Sequence, residues 1–566
     1  MKYRAIDENY RSKSVLQNVL DNRNLTKEDI NILINADERY YEDPFDIVGM
    51  RKAVDFFNKI LKEETIVGLL IDSDVDGYTS SSLLYRWLVE DVGHSEDNIR
   101  LFYQHGKQHG LDSKVFENML QSDVDLFIIA DSSSNDVEQQ IKLISNNKQI
   151  IILDHHQVDK KVPGEVCLVN NQLEGSTSST LSGVGVVSKF IEACGYSVDK
   201  YLDIVAVGLV ADSMEMLNLE NRAIVNYGLS HLNNNLVKEF LKDIKNPIIA
   251  DISWGLANYI NSVIRFGTQE EKEMCFNVLI GKEGTIEYKK RNGEIVNQSF
   301  AEAFVRVSGN VKNRQNRAIK KEVGELEKEI YKNGLDQDKC IIINSGDVDS
   351  SIRGAIAQRI CSSFKRPVIM LNPYRGELAG SMRSPFENFK DILEESGLPT
   401  FVQGHGAAAG IGIREDKLDE LRVYLNERLK DFEVDETTED VDYIFDFQEL
   451  KLNTVKEIAD LSSIWCRDAK EPTFIIKNLT LESKDITHKK AFKGYTTSFK
   501  KNKIYFEKPF SSQAIFEKMT MKDKLKFGKS HLLSLTLLVK FKKNEKNFYY
   551  IEIQQFNVCK SNKIIF

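Results

Sequence analysis

The sequence predicts an α/β protein in which a parallel-sheet domain is joined by a long helix to a smaller α/β domain, and a small β-barrel follows. Three short apolar runs, each ending in an aspartate, alternate with helical periodicity in the first part of the chain, as the buried strands of a doubly wound sheet do. A chain of 566 residues is also too long for one hydrophobic core, and about three or four domains are expected.

The order of the elements sets the domain boundaries. Helices are predicted at residues 13–20, 27–34 and 48–61, and buried strands at 66–71, 126–130 and 149–153. The charged stretch at residues 314–332 has few helix breakers and predicts a long connecting helix, and an acidic linker at residues 433–442 precedes a last region of alternating strands. The predicted domains are residues 1–225 (N-terminal helices and parallel sheet), 226–335 (helical connector), 336–432 (second α/β domain) and 443–566 (barrel).

Composition and cysteine usage exclude several classes of protein. Apolar residues make up 42% of the chain, which is ordinary for a globular protein, and no apolar run reaches the about 20 residues that a membrane span needs. The first ten residues lack a hydrophobic signal core, so a cytoplasmic protein is expected. The 7 cysteines are odd in number and form no C-x-x-C pair, so neither a disulfide framework nor a structural zinc site is expected.

Charge is distributed unevenly along the chain. Residues 481–566 contain 19 Lys, no Arg and 7 acidic residues, a net charge of +12, which leaves −21 for the first 480 residues because the whole chain carries −9. A basic module concentrates polyanions and an acidic region can hold divalent cations, so the asymmetry favours a nucleic acid as partner. A solvated Lys-rich surface is the alternative that charge alone leaves open.

The first chemical motif is Asp72-Ser73-Asp74-Val75-Asp76-Gly77, which follows the first predicted strand. Side chains two residues apart in an extended segment point the same way, so Asp74 and Asp76 are expected to converge on neighbouring cations, and Gly77 allows a sharp turn into a helix. An acidic surface loop explains the motif equally well when it is taken alone. An EF-hand fits less well because no Glu follows at the required spacing.

The more specific motif is Asp154-His155-His156 at the end of the third predicted strand. Two adjacent imidazoles after an acid supply a metal ligand and a cationic group for phosphate. Asp131 ends the second strand, and Asp212 follows a long apolar stretch. Together these residues form a hard, oxygen-rich ligand set that suits Mn²⁺ or Mg²⁺ better than Zn²⁺, and two ions about 4 Å apart that share Asp131 would suit an in-line phosphoryl displacement.

These motifs, in this order, resemble those of the DHH phosphoesterase superfamily and, within it, the RecJ-type single-strand-specific exonucleases. Further matching segments run through nearly the whole chain, at residues 181–186, 210–212, 220–222, 228–229, 380–384 and 404–410. The last two segments are those that the superfamily's DHHA1 domain uses. The resemblance implies a DHH domain, a DHHA1 domain at residues 336–432 and an OB-like, oligonucleotide-binding barrel at residues 443–566.

The resemblance also implies roles for individual residues. Asp72 and Asp154 would orient the metal ligands, and His156 would face the scissile phosphate, where it stabilises developing charge or assists a proton transfer. Two Mn²⁺ or Mg²⁺ ions would be held by Asp74, Asp76, Asp131, His155 and Asp212.

Substrate-binding residues follow from the same resemblance. Ser381, Arg383 and Arg314 would bind the terminal phosphate or the strand, since Arg offers a planar fork to phosphate oxygens. Gly404-His405-Gly406 and the small residues up to Gly410 would let the backbone approach DNA closely. The barrel would bind the strand through its lysines and interleaved aromatic residues.

The chain departs from the family pattern at several positions. Between Tyr103 and Leu111 it lacks a Pro-x-Arg element that contacts phosphate, and Lys107, or else His105 or His109, is the candidate to replace it. The 5′-phosphate preference is the property that this departure affects. The other departures, none of which removes a predicted metal ligand, are Ser73 and Val75 in the first motif, Ser132 and Ser133 after Asp131, and Gln403 in place of a glycine.

The predicted function is that of a metal-dependent exonuclease on single-stranded DNA, with 5′→3′ polarity and a role in recombination, repair or replication implied by the resemblance alone. One alternative is a DHH phosphodiesterase acting on nanoRNA or cyclic dinucleotides, although such relatives are shorter and lack a basic barrel. Another is a non-catalytic replication scaffold, which would have lost ligands that this sequence retains. Analogy suggests a single-strand binding protein or a helicase as partner, and a monomer without membrane attachment is expected.

Overall fold

The structure, a computed structural model, describes residues 2–104, 106, 108–346, 348–374, 376–431, 438–482, 485–491, 494–511 and 532–560. Within these ranges the strands form a five-stranded parallel sheet, a second five-stranded sheet, a seven-stranded sheet and two two-stranded sheets. This mixed α/β architecture with a parallel-sheet core confirms the predicted fold class. No helix of the described residues is long and apolar enough to cross a membrane.

The first 230 residues contain the parallel sheet, whose strand order is β3-β2-β4-β5-β6. Because β3 lies on one side of β2 and β4 on the other, the chain reverses its winding between β2 and β4, and a crevice opens at their carboxyl ends. The elements are β1 (Lys2–Ala5), α1 (Val15–Asp21), α2 (Lys27–Ile34), α3 (Met50–Ile60), β2 (Val67–Ile71), α4 (Val75–Glu90), β3 (Ile99–Tyr103), α5 (Phe116–Gln121), β4 (Leu126–Ala130), α6 (Val137–Ser145), β5 (Gln149–Asp154), β6 (Cys167–Asn170), α7 (Gly183–Ala193), α8 (Leu202–Ala211) and α9 (Leu219–Ser230).

The parallel strands are continuous apolar runs because both faces of the sheet are covered. Every residue of β2 and of β4 is buried. Successive residues of one strand enter different cores: Leu69 packs in one cluster and Leu70 in another, as their alternation across the strand requires. Burial on both faces fixes the carboxyl ends of the strands side by side at one edge of the sheet.

The region between residues 235 and 332 is mostly helical, as predicted, but it also contains a hairpin. Its elements are α10 (Asn235–Leu241), a π-helical turn (Asp251–Leu256), α11 (Ala257–Phe266), α12 (Gln269–Leu279), β7 (Thr285–Lys289), β8 (Ile295–Ser299) and α13 (Phe300–Lys332). The predicted long helix begins earlier than expected because a capping box between Ser299 and Glu302 starts it there. The hairpin escaped prediction because its residues alternate only between exposed and half-buried.

The second five-stranded sheet has the order β12-β13-β11-β10-β9, in which only β9 and β10 are parallel. Helix α14 packs on β10 and β11. The elements are β9 (Ile341–Asn344), α14 (Ser350–Phe364), β10 (Val368–Tyr374), β11 (Glu377–Arg383), α15 (Phe389–Glu395), β12 (Pro399–His405), β13 (Ala408–Ile413) and α16 (Leu418–Arg428).

The C-terminal region is rich in sheet, consistent with the expected OB-like domain. Its seven-stranded sheet has the order β15-β16-β20-β21-β19-β18-β17. The elements are β14 (Thr438–Val441), β15 (Tyr443–Asp446), α17 (Leu452–Ala459), β16 (Phe474–Glu482), β17 (Thr487–Ala491), β18 (Gly494–Lys501), β19 (Ile504–Ser511), β20 (Leu532–Lys543) and β21 (Tyr549–Lys560). Part of the Lys-rich sequence, including residues 522–529, lies outside the described residues.

The N-terminal segment packs against this C-terminal region. Strand β1 pairs in parallel with β14, and apolar residues of α1 and α2 such as Val19 and Leu33 share a core with Phe445 and the strands that follow it. Arg23 forms a buried ion pair with Asp442 at 2.6 Å. The predicted domain of residues 1–225 combined α1 and α2 with the parallel sheet, whereas the apolar side chains of both helices lie in the C-terminal core.

Candidate metal centre

The site lies at the carboxyl edge of the parallel sheet, where the winding reverses. Asp72 follows β2, Asp131 follows β4, and Asp154 ends β5. Asp212 comes from the end of helix α8 rather than from a strand. Because β2, β4 and β5 are adjacent and parallel, the topology alone brings their terminal acids together.

The acids that follow β2 do not share one extended segment. Asp74 is the N-cap of α4 and accepts a hydrogen bond from the backbone N–H of Gly77 at 3.0 Å, which places Asp76 in the first turn of the helix. The prediction that Asp74 and Asp76 point the same way because they alternate along an extended segment is therefore wrong. Gly77 is needed for packing, since a Cβ there would lie 2.6 Å from Cβ of Asp72.

Asp76 is held by the start of helix α7. Its carboxylate accepts hydrogen bonds from Ser182 Oγ at 2.9 Å, from the N–H of Gly183 at 2.6 Å and from the N–H of Val184 at 3.2 Å. The positive end of the helix dipole stabilises this buried carboxylate. The segment of small residues at 181–186 thus fixes one predicted metal ligand in orientation.

Asp131 and His155 form the centre of the cluster. Asp131 adopts a left-handed backbone conformation with φ 61° and is 2% exposed. His155 Nε2 lies 3.1 Å from Asp131 Oδ1, 3.6 Å from Asp212 Oδ2 and 3.9 Å from Asp76 Oδ2. Three predicted ligands therefore converge on an imidazole nitrogen of a fourth, and these four residues come from four separate stretches of the chain.

Asp154 positions the two histidines rather than joining the carboxylates. It accepts hydrogen bonds from Ser134 Oγ at 2.7 Å, from the N–H of His155 at 2.8 Å and from His156 Nδ1 at 2.8 Å. Burial raises the pKa of Asp154, but the hydrogen bonds from His156 and Ser134 outweigh it and hold that pKa below its usual range. The same bond to Asp154 raises the pKa of His156 to about 9, so this imidazole is cationic at neutral pH.

The electrostatics of the cluster fit a divalent cation. Burial, together with repulsion from neighbouring carboxylates, raises the pKa of Asp131 well above its usual range and raises that of Asp212 to about 8. Burial also lowers the pKa of His155, which keeps its imidazole neutral and able to act as a ligand. Crowded, buried carboxylates around a neutral imidazole are a hard donor set whose repulsion a bound cation relieves.

Three groups of side chains in the described residues have ligand atoms close enough to share an ion, each within 4.8 Å of one another. They are Asp131 with His155 and His156, Asp76 with His155 and Asp212, and Asp72 with Asp74 and His109. All five predicted metal ligands, and also Asp72 and His156, belong to one of these groups. The three groups together provide ligand atoms for more than one ion.

His109 is a site residue to which the sequence assigned only a substitute role in phosphate contact. Its Nδ1 lies 2.6 Å from Asp72 Oδ2, and the N–H of Gly110 donates to the other oxygen of Asp72 at 3.1 Å. Burial lowers the pKa of His109, but the bond to Asp72 more than offsets this and raises it. The signal that could have found His109 is its place in the loop after β3, whose carboxyl end lies at the same sheet edge.

The predicted phosphate-binding residues Ser381 and Arg383 lie on β11, against the first turns of α14. A Cβ at Gly354 would lie 2.7 Å from Nη2 of Arg383 and 3.8 Å from Oγ of Ser381. Burial lowers the pKa of Arg383, and within the described part of the chain no ion pair to a carboxylate is found for it. Arg265 on α11, which sequence reasoning missed, lies close enough to influence the pKa of both Arg383 and His109.

The other predicted substrate-binding residues are placed less directly. Arg314 donates to Glu271 Oε2 at 2.7 Å, so its guanidinium already has a carboxylate partner. Gly404 has φ 131°, and a Cβ at Gly406 would lie 1.8 Å from the carbonyl oxygen of Glu387, so packing within the chain requires a glycine there. His405 ends β12, and Lys107 lies outside the described residues.

A cavity of about 390 Å³ connects the two α/β parts of the site. Its lining includes Asp72, Asp131, Asp154 and His156 from the parallel sheet and Gln403 from β12. The residue that replaces a family glycine therefore faces the acidic cluster. A ligand in this cavity would contact the acidic edge of the parallel sheet and the second sheet together.

A histidine and several carboxylates at the winding reversal of a parallel sheet are the site that the sequence motifs resembling those of the DHH phosphoesterases lead one to expect. A family model described as "DHH family, N-terminal domain" matches residues 66–209. A SPbeta prophage-derived relative in Bacillus subtilis, named as a putative single-strand DNA-specific exonuclease YorK, is 30% identical over 587 aligned positions, covering 100% of this chain and 99% of the relative. The chain therefore belongs to the DHH family, in the branch of RecJ and its relatives.

More distant relatives agree with this assignment. The single-stranded-DNA-specific exonuclease RecJ of Bacillus subtilis is 26% identical over 474 aligned positions, which cover 81% of this chain and 58% of that protein. The crystal structure of Thermus thermophilus RecJ with Mn²⁺ superposes with a TM-score of 0.67 at 17% identity, covering 99% of this chain and 79% of that one. At that identity the superposition establishes the fold.

Proposed function

We propose that the protein is a metal-dependent exonuclease that hydrolyses phosphodiester bonds of single-stranded DNA in the 5′→3′ direction, in recombination, repair or replication. The observation that carries the proposal is the convergence of Asp76, Asp131 and Asp212 on His155 Nε2, at distances of 3.1 to 3.9 Å. The substrate is supported by the name of the relative that aligns over the whole chain. The polarity rests on the family resemblance.

The residues that would hold two Mn²⁺ or Mg²⁺ ions are Asp74, Asp76, Asp131, His155 and Asp212, with Asp72 and His109 next to them. When bound, such cations polarise phosphoryl oxygens and lower the pKa of a water molecule. The chain keeps the donor atoms in place through the start of α7 and through Asp154, so that little rearrangement is needed on binding.

His156 is proposed to act on the substrate directly. Its side chain is 59% exposed, while its Nδ1 is engaged by Asp154. Nε2 is therefore the nitrogen left to donate to an oxygen of the scissile phosphate, and the raised pKa keeps that proton in place at neutral pH. Asp154 is proposed as a positioning residue, because it sets the orientation and charge of His156.

Binding of the strand end is assigned to Ser381, Arg383 and Arg265. The half-buried guanidinium of Arg383 lies near the hydroxyl of Ser381 and has no carboxylate partner within the described ranges, which favours an anionic ligand. A phosphate accepts hydrogen bonds from both groups. The lysines of the C-terminal sheet are proposed to bind the remainder of the strand.

Digestion of end-blocked oligonucleotides tests activity, polarity and strand choice together. With Mn²⁺, we expect release of mononucleotides from a 3′-blocked single strand, none from a 5′-blocked strand, and none from a blunt duplex. Asp131→Ala should abolish release, whereas Asp123→Ala, at an exposed acid paired with Arg100, should behave as the parent does.

The outcomes separate the remaining candidates. Rapid cleavage of a dinucleotide with no attack on a long strand would favour a phosphodiesterase of short substrates. No release of nucleotides from either the parent or Asp131→Ala would favour a non-catalytic scaffold, and equal release from both would contradict the proposed metal centre. Digestion of the 5′-blocked strand alone would reverse the proposed polarity.

A further inference from the structure

A segment of the C-terminal region is fixed against the turn that follows Asp212. Arg222, which is 1% exposed, donates to the carbonyl oxygens of Ser463 at 3.0 Å and Ile464 at 3.2 Å. In the same segment, the carboxylate of Asp468 accepts hydrogen bonds from the N–H groups of residues 216 and 217, at 3.2 and 2.7 Å. These bonds hold residues 463–468 in one position beside the metal centre.

Arg467 lies in the middle of this segment and reaches the metal centre. Its Nη1 donates to the carbonyl oxygen of Ser213 at 3.1 Å, one residue beyond the predicted ligand Asp212. The pKa of Asp212 is raised overall, and the positive charges of His156 and Arg467 partly offset that rise. The guanidinium is thus close to the same carboxylate that contacts His155.

The charge of Arg467 is only partly offset by the nearby carboxylate of Asp212. The residue is exposed, and in the described part of the chain no ion pair is found for it. Its neighbour Asp468 is engaged by backbone N–H groups instead. Asp212, 33% exposed, and His156, 59% exposed, lie on the same open rim. An unpaired planar guanidinium beside a phosphodiester site is suited to a phosphate oxygen pair.

We infer that Arg467 binds a backbone phosphate of the single strand next to the bond that is cleaved, so that the C-terminal region contributes a residue to the cleavage site itself. This inference rests on the proposed function. It adds a substrate contact from a region to which sequence reasoning assigned only general strand binding. The contact would also couple the position of the C-terminal sheet to that of the scissile bond.

Binding measured without metal tests the contact independently of catalysis. We would titrate a fluorescently labelled oligothymidylate with parent, Arg467→Gln and Arg467→Lys in EDTA, over a series of salt concentrations, and follow anisotropy. Arg467→Gln should bind about tenfold more weakly at low salt, and its slope of log K against log salt should be smaller by about 0.7, the value for one lost phosphate contact on a single strand. Arg467→Lys should retain most of the slope.

Kinetics in Mn²⁺ distinguish a strand contact from a structural role. For Arg467→Gln we expect KM for a long single strand to rise about tenfold, with kcat for bis(p-nitrophenyl) phosphate unchanged, because that small substrate has no neighbouring phosphate. Arg414→Gln, at an exposed arginine paired with Asp416, is the matched control and should leave every value unchanged.

Two results would overturn the inference: a salt slope for Arg467→Gln equal to that of Arg414→Gln, or an equal loss of activity on the small substrate and on the long strand. The second result would make Arg467 a residue that only positions Asp212. A parent protein that releases no nucleotides would refute the proposed function, while the titrations in EDTA would still decide whether Arg467 contacts the strand.

Discussion

At the scale of single residues, the metal centre costs the protein stability when no cation is bound. Asp131 is buried and has a positive φ. Its carboxylate and those of Asp76 and Asp212 all lie within 4 Å of His155 Nε2. A non-glycine residue in the left-handed region is itself unfavourable, by about 1 kcal/mol or more. Backbone strain and like-charge repulsion therefore coincide at Asp131, as expected at a position where a bound cation offsets both.

Because of Asp212, the stability of the metal-free protein should decrease as the pH rises. Its folded pKa of about 8 lies above the value of about 4 for an unfolded aspartate, so the folded state holds a proton that the unfolded chain loses as pH rises. The metal-free protein should therefore lose stability between about pH 4 and pH 8, and Mn²⁺ should raise the melting temperature more at pH 8 than at pH 6. Thermal denaturation with and without Mn²⁺ at both pH values measures the effect.

The variant Asp212→Asn checks the cause. It should melt several degrees above the parent at pH 8 without metal and should gain little from Mn²⁺, because the repulsion and the ligand are removed together. Asp123→Asn, at an exposed carboxyl, is the control and should follow the parent. A metal-free Asp212→Asn that melts below the parent at pH 8 would contradict this account.

At the scale of elements, the start of helix α7 is packed directly on the metal centre. A Cβ at Gly183 would lie 2.6 Å from Cβ of Asp131 and 2.8 Å from its Oδ1. Gly183→Ala should therefore displace Asp131, weaken Mn²⁺ binding about tenfold or more and destabilise the protein by about 1–3 kcal/mol. Calorimetric titration with Mn²⁺ and urea denaturation measure the two effects.

Gly164→Ala is the matched control for Gly183→Ala, since no atom lies within 4 Å of the position of its new Cβ. It should bind Mn²⁺ as the parent does. If Gly183→Ala also binds Mn²⁺ with parental affinity, then α7 can shift without moving Asp131, and the close packing does not set the geometry of the site.

Elements whose residues form a continuous local pattern are those that the sequence could predict. Strands β4 and β5 are continuous apolar runs that end in acids, so both their positions and the shared edge of their last residues could be read directly. The convergence of Asp76 with Asp212 was predicted from the family motif. Its physical cause, an N-cap at Asp74 and a helix end at Ala211, depends on tertiary packing that periodicity does not contain.

Contacts between distant segments lay beyond sequence reasoning. His109 meets Asp72 through a loop without regular structure, and Arg467 meets Ser213 across 254 residues of sequence. Neither residue has a local pattern that differs from an ordinary surface loop. Only the fold, which places the loop after β3 and the segment before β16 at the same rim, identifies them.

At the scale of the whole molecule, the N-terminal helices are part of the C-terminal core. Arg23 has a side chain 9% exposed and Asp442 one 2% exposed, and Arg23 also lies over the ring of Trp465 at 5.3 Å. Arg23→Ala leaves the carboxylate of Asp442 buried without its partner, and we expect a loss of about 3–5 kcal/mol in the free energy of unfolding of this region. Urea denaturation followed by tryptophan fluorescence measures it.

Arg4→Ala is the control for this prediction, because Arg4 pairs with Asp440 on the surface, at side chains that are 73% and 50% exposed. Its unfolding midpoint should match that of the parent. Equal midpoints for Arg23→Ala and Arg4→Ala would mean that the buried pair does not hold the two ends of the chain together.

The parallel pairing of β1 with β14 has a consequence for how the chain is made. The partners Arg4 and Asp440 are separated by 436 residues, so β1, α1 and α2 leave the ribosome long before the core that receives them exists. At about 5–20 residues per second, synthesis of the intervening chain takes on the order of 20–90 s. During that interval the apolar faces of α1 and α2 lack the residues of the C-terminal core against which they pack in the folded protein.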